Sequence, residues 1–192
     1  MNKRSFLFAG ALAGVTPGLA GAAAPGARGP ALLTVTGAIG KGNRGPFDPV
    51  SDQMMAKQKL HFDKAHAFDF AALSALPALQ VKPTLEYDGK VHVLSGPLLL
   101  DVVAATGARV GEHSKLLLRA VDGYAVAVSV AQLRAQRFIA ALHMDGQAMA
   151  LGGLGPVWAV YDADRVPGMA AKPLAERFGN CPWALYHIEV QA

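Results

Sequence analysis

The chain has 192 residues, 18 Lys and Arg against 14 Asp and Glu, and a formal charge of +4. Its basic residues are scattered, with no stripe and no aromatic interleaving, which excludes a nucleic-acid footprint. A single cysteine, Cys181, excludes an intramolecular disulfide and leaves a thiol that is either buried and inert or exposed and reactive.

In chain order, Lys3-Arg4 is a basic pair and Phe6 to Val15 an apolar run. Ala20-Gly21-Ala22 or Ala22-Ala23-Ala24 then offers a small-residue cleavage site. That order predicts an export signal over residues 1–24 and a periplasmic protein. The apolar run is about 10 residues, half of the ~20 that span a bilayer, and no cysteine stands at the cleavage site for lipidation. Lys3-Arg4-Ser5-Phe6-Leu7 also resembles the twin-arginine motif with Lys in first position. Loss of Lys3 and Arg4 lowers the charge to +2. Residues 25–31 form an Ala/Gly/Pro tether too poor in apolar bulk to fold. Residues 32–192 are expected to form one domain, since a chain of that size buries roughly 70% of its unfolded surface.

Leu32 to Ile39 alternates and predicts the first strand, and Gly40 to Pro49 a loop. Asp69 is the expected N-cap of a helix over Phe70 to Leu76, stopped by Pro77. Strands over Gln80 to Tyr87 and Lys90 to Leu94 flank Asp88-Gly89, a pair suited to the two positive φ angles of a type I′ turn. Pro97 to Thr106 predicts a helix ended by Gly107. Lys115 to Val121 and Tyr124 to Val128 read as strands apolar on both faces, joined at Asp122-Gly123. Ser129 caps a helix through Arg134. Phe138 to Met144, Val157 to Tyr161 and Trp183 to Val190 complete the strands, with Asp145-Gly146 as a third turn and a short helix around Lys172 to Phe178. Strands outnumber helices, so the expected class is α+β, with β-rich mixed sheets and short helices.

Five stretches then follow one another: Leu33-Thr34-Val35-Thr36-Gly37; Gly96-Pro97-Leu98; Asp122-Gly123-Tyr124; Asp145-Gly146 with Gly155-Pro156; and Trp183 through Ile188-Glu189-Val190. In order and spacing they resemble the molybdopterin-binding domain of the sulfite oxidase family, over most of the chain from Leu33 to Val190. The resemblance implies the sulfite oxidase molybdopterin-domain-like fold. It leaves two activities open: a molybdopterin-dependent oxidoreductase of the sulfite oxidase type, or a periplasmic pterin binder that signals to a membrane partner, as in short exported members lacking the metal-ligand cysteine. Here that position falls at or near Thr84 in Lys82-Pro83-Thr84-Leu85-Glu86-Tyr87, and a threonine hydroxyl is a poor substitute for a soft thiolate. The base that the family tends to place before the final Trp is missing from Gly179-Asn180-Cys181-Pro182, the nearest being Arg177, and His143 stands where an Arg often precedes the Met-x-Gly turn. These departures favour an unphosphorylated pterin over molybdopterin, or no ligand, with no catalytic residue and no metal.

The resemblance and the residue types together nominate Thr84, Tyr87, Asp122, Tyr124, Asp145 and Trp183. Tyr124 and Trp183 suit stacking on a flat heterocycle, or else serve as core. Asp122 and Asp145 suit the amino and ring N–H groups of a pterin edge, or are turn residues only. Tyr87 neighbours the lost thiolate position, or packs across a hairpin. His61, Asp63 and His66 have the wrong spacing for a helical metal site. On the last strand Trp183, Leu185, His187 and Glu189 are expected on one face, with His187 and Glu189 as a solvated pair or a pocket edge. A Cys181 and His187 couple fails, because residues six apart on a strand are too distant.

Overall fold

The structure, a computed structural model, describes residues 29–192. The expected export signal, and the tether before Gly29, lie outside the described residues. From there the chain runs β1 (Leu33–Gly37), α1 (Gln53–Lys57), β2 (His66–Phe68), α2 (Phe70–Ser74), β3 (Ala78–Val81), β4 (Leu94–Pro97) and α3 (Leu99–Ala105). It continues through β5 (Lys115–Ala120), β6 (Ala125–Ser129), α4 (Val130–Gln136), β7 (Ile139–Ala141), β8 (His143–Met144), β9 (Gln147–Ala148), β10 (Trp158–Val160), α5 (Pro167–Ala170) and β11 (Leu185–Gln191), with 3-10 turns at Ala163–Arg165 and Leu174–Glu176.

Local chemistry accounts for the helix ends. Asp69 accepts from the Ala72 amide at 2.7 Å and Ser129 from the Gln132 amide at 3.1 Å, satisfying donors that α2 and α4 leave open. Gly107, at φ 73°, ends α3 in the left-handed region that glycine adopts without cost. Pro97 belongs to β4 rather than to α3, because its neighbours pair with β3 before the chain turns.

A five-stranded sheet of order β2-β1-β11-β5-β6 is the frame, with β1 and β11 parallel and the other pairs antiparallel. A four-stranded sheet β3-β4-β8-β9 and the pair β10-β7 stand against it. The class is therefore α+β with mixed, β-rich sheets and short helices. Leu33, Val35, Leu116, Leu118, Ile188 and Val190 of the first sheet join Leu94, Ile139, Trp158 and Val160 of the others and Leu99, Val102 and Val103 of α3 in the main core. Each such side chain contributes about 1.5–3 kcal/mol by leaving water. A smaller cluster of Met55, Leu60, Phe62, Ala65 and Tyr186 forms beside it. The β4 and β7 backbones approach so closely that a methyl at Gly96 would overlap the Ala140 carbonyl oxygen.

Several expectations change. The type I′ geometry is at Asp145-Gly146, φ 50° and 80°, in the β8–β9 hairpin; at Asp88-Gly89 and Asp122-Gly123 only the glycine has positive φ. The segment after Val81 leaves the sheet and is closed by an isolated bridge between Thr84 and Val91. β5 and β6 are fully buried on one face only, through Leu116, Leu118, Ala120 and Val128, while the residues between them are partly or wholly exposed. The helix expected over Lys172 to Phe178 is a single 3-10 turn, and α1, β2 and α5 arise where no element was expected. Finally, the register of β11 against β5 shifts between Leu185 and His187. That bulge reverses the alternation: Leu185 joins Ile188 and Val190 in the main core, while His187 pairs across from Arg119 on the opposite face.

Candidate functional site

Three loops meet at one end of β5 and β11. In the turn after β5, the Gly123 amide donates to the Ala120 carbonyl at 3.1 Å, and Asp122 Oδ1 accepts from the Tyr124 amide at 2.9 Å. This Asx turn orients Tyr124, whose hydroxyl donates to the Gly179 carbonyl in the loop before β11. Trp183 sits at the end of that loop, where Ala184 (φ 47°) donates to the Leu154 carbonyl at 3.0 Å. The third wall is the 82–91 segment, turned by bonds from the Leu85 amide to Lys90 O and from the Gly89 amide to Leu85 O, both 2.9 Å.

Between them lies a cleft of about 290 Å³ lined by Glu86, Tyr87, Asp122, Tyr124, Phe178 and Trp183, among others. That volume is at the lower edge of the ~300–1,000 Å³ typical of ligand pockets. Tyr87, Tyr124 and Trp183 are 55%, 46% and 41% exposed, so none of the three is a core aromatic. Burial, and then the Glu86 carboxylate beside it, push the Tyr87 phenol up to about 12, so this ring stays neutral across physiological pH. Four of the six nominated residues thus share one cleft. Glu86 and Phe178, which join them, carried no signal in the sequence beyond the adjacency of Glu86 to Tyr87.

Thr84 and Asp145 lie elsewhere. Both the amide and the hydroxyl of Thr84 donate to Asp164 Oδ2 at 2.7 Å, and Arg177 Nη1 donates to Asp164 Oδ1 at 2.7 Å. Arg177 also donates through Nε to Lys172 O at 3.0 Å and through Nη2 to Ala170 O at 2.8 Å. Burial pushes the Asp164 carboxyl up, but the Thr84 and Arg177 contacts outweigh it and hold the group below its ordinary value. Asp145 accepts from the Val93 amide at 2.9 Å and faces His92 Nδ1 at 2.6 Å, while Asp88 faces His92 Nε2 at 3.0 Å. Its carboxylate ties His92 and Val93, just after the 82–91 segment, to the β8–β9 hairpin, and His92 passes the link on to Asp88.

The molybdenum cofactor implied by the resemblance does not fit these residues. Thr84 has its hydroxyl proton committed to Asp164, and Arg177, the base nearest in sequence to the final Trp, gives three of its five N–H donors to one carboxylate and two carbonyls. No soft metal ligand stands at the family's thiolate position, and no base stands in Gly179-Asn180-Cys181-Pro182 just before the final Trp, while the Arg177 guanidinium is oriented by Asp164. Cys181 is 4% exposed, and burial pushes its thiol up, so it is the inert alternative. His187 is 1% exposed, 2.9 Å from the Thr36 hydroxyl, and burial followed by the Arg119 charge lowers it to about 4. It is a buried neutral imidazole, not half of a solvated pair with Glu189. Among the described residues no group of three or more His, Cys, Asp or Glu side chains is placed to hold a metal, and no helix is long and apolar enough to cross a membrane.

No protein-family model and no curated protein matches the chain.

Proposed function

We propose that the protein is a non-catalytic periplasmic binder of a pterin or similar flat heterocycle, of the sulfite oxidase molybdopterin-domain type, that reports occupancy to a membrane partner. One observation carries the reading: three partly exposed aromatic rings and the Asp122 carboxylate surround a single cleft. The rings offer stacking faces to a bicyclic ligand, and Asp122 Oδ2 offers an acceptor to its amino-pyrimidine edge. The committed Thr84 hydroxyl and Arg177 guanidinium weigh against the molybdopterin-dependent oxidoreductase, and no reaction step is assigned.

Titration of tryptophan fluorescence with oxidised and reduced pterins tests this. An offset stack is worth about 0.5–1.5 kcal/mol beyond burial and a charge-assisted hydrogen bond about 1.5–3 kcal/mol. Tyr124→Ala, Trp183→Ala and Asp122→Asn are each expected to weaken binding about tenfold. Absence of pterin binding to the folded wild type, or three variants that bind as well as it does, overturns the reading. Mapping of the exported form is expected to place its first residue between Ala23 and Gly26.

A further inference from the structure

The charges around the cleft are one-sided. Glu86 and Asp122 line it with Tyr87, Tyr124 and Trp183, and no Lys, Arg or His is among its lining residues. Among the described residues no cation forms an ion pair with either carboxylate, since the pairs of Arg44, His92, Arg119, Arg134, Arg165 and Arg177 are all made elsewhere. Arg177, although it lies between the lining residues Ala175 and Phe178, is not itself among them, and its guanidinium is held by Asp164 and by the Lys172 and Ala170 carbonyls. An acidic, aromatic concavity therefore stands on a chain whose overall charge is +4. The negative faces of aromatic rings attract cations, and carboxylates at the same mouth add to that field. An anion entering here would meet two like charges and no side-chain cation.

We infer that the cleft takes a small organic cation, with an ammonium, amidinium or guanidinium group between Glu86 and Asp122 and its flat or methyl-bearing body against Tyr87, Tyr124 and Trp183. The turn that fixes Asp122 and the Tyr124 hydroxyl bond to Gly179 hold the carboxylate and one ring in place before the ligand arrives. This inference rests on the cleft being the ligand site, but not on the ligand being a pterin, whose neutral amino edge can take a charge-assisted hydrogen bond from one carboxylate but brings no positive charge to the pair.

Three probes of one shape and different charge test it: benzamidinium, benzamide and benzoate, titrated calorimetrically into the full exported chain. Benzamidinium is expected to bind at least about tenfold more tightly than benzamide, benzoate not measurably, and the advantage of the cation is expected to shrink with added salt. Glu86→Gln and Asp122→Asn, both of which keep side-chain shape while removing the charge and one acceptor oxygen, are each expected to cut the preference for benzamidinium over benzamide severalfold with unchanged thermal unfolding. Benzoate or benzamide binding as well as benzamidinium, or a preference unmoved in both variants, overturns the inference. Pterins that bind while benzamidinium does not overturn it and leave the pterin reading standing. Benzamidinium that binds where no pterin does supports it and removes the pterin.

Discussion

The base and the tip of the 82–91 segment carry the same kinds of side chain to opposite effect. At the base, Asp164 accepts from the Thr84 amide, the Thr84 hydroxyl and Arg177, so every charge has a partner from the chain itself. At the tip, Glu86 and Asp122 face three aromatic rings and no cation. A carboxylate with both oxygens taken by fixed donors anchors the backbone, whereas Asp122, with Oδ1 on the Tyr124 amide and Oδ2 facing the concavity, both fixes its turn and keeps a field for something that arrives from solution. The base thus sets where the tip stands, and it also removes the nearest guanidinium from the cleft.

Breaking the base is expected to have the largest effect. Asp164→Ala leaves Arg177 and both Thr84 donors without their acceptor, at a cost of roughly 3 kcal/mol, the low end for a broken pair because the partners are partly exposed. Urea unfolding measures it, and an unshifted midpoint would show that the base holds nothing. Next, the buried His187 adds a pH dependence independent of the cleft. Its pKa is depressed to about 4 from 6.5, so the unfolded state takes the proton first. Stability is then full above about 6.5 and falls by about 3 kcal/mol as pH drops toward 4, a slope expected to flatten in His187→Gln.

Smaller effects sharpen the contrast at the tip. Trp183→Ala is expected to lower affinity for a cleft ligand about tenfold while changing the unfolding midpoint little, because the ring is 41% exposed. Equal affinity with lower stability would make Trp183 a packing residue instead. The smallest effect belongs to His92. Hydrogen bonds that His92 donates to Asp145 and then to Asp88 raise its pKa, so the link to the β8–β9 hairpin is complete below about 6.5 and lost as pH rises through the raised value. The two carboxylates are held below 3.8, by the Val93 and Lys90 amides foremost, and their share is lost only as pH falls through those lowered values. An NMR titration of His92 is expected to show the raised midpoint and its return toward the ordinary histidine value in Asp145→Asn.

What the amino-acid order determined by itself is local. Asp69, Ser129 and Gly107 set helix ends because a cap acts on amides within three residues of itself. The alternation of Leu32 to Ile39 likewise predicts the first strand, which runs over Leu33–Gly37 with Thr34 and Thr36 buried as well as Leu33 and Val35. Even Tyr87, Asp122, Tyr124 and Trp183 were legible as residue types suited to a flat ligand. Only the tertiary structure decided the rest. It paired Thr84 with Asp164 across 80 positions, and so made the residue nominated at the lost thiolate position a structural donor. It inserted the bulge between Leu185 and His187 that buries the imidazole, a shift set by register against β5 and invisible in the period of β11. It also brought Glu86 to Asp122 and took Arg177 away. The net field of a cleft is a sum over side chains from distant segments, and no one segment contains it.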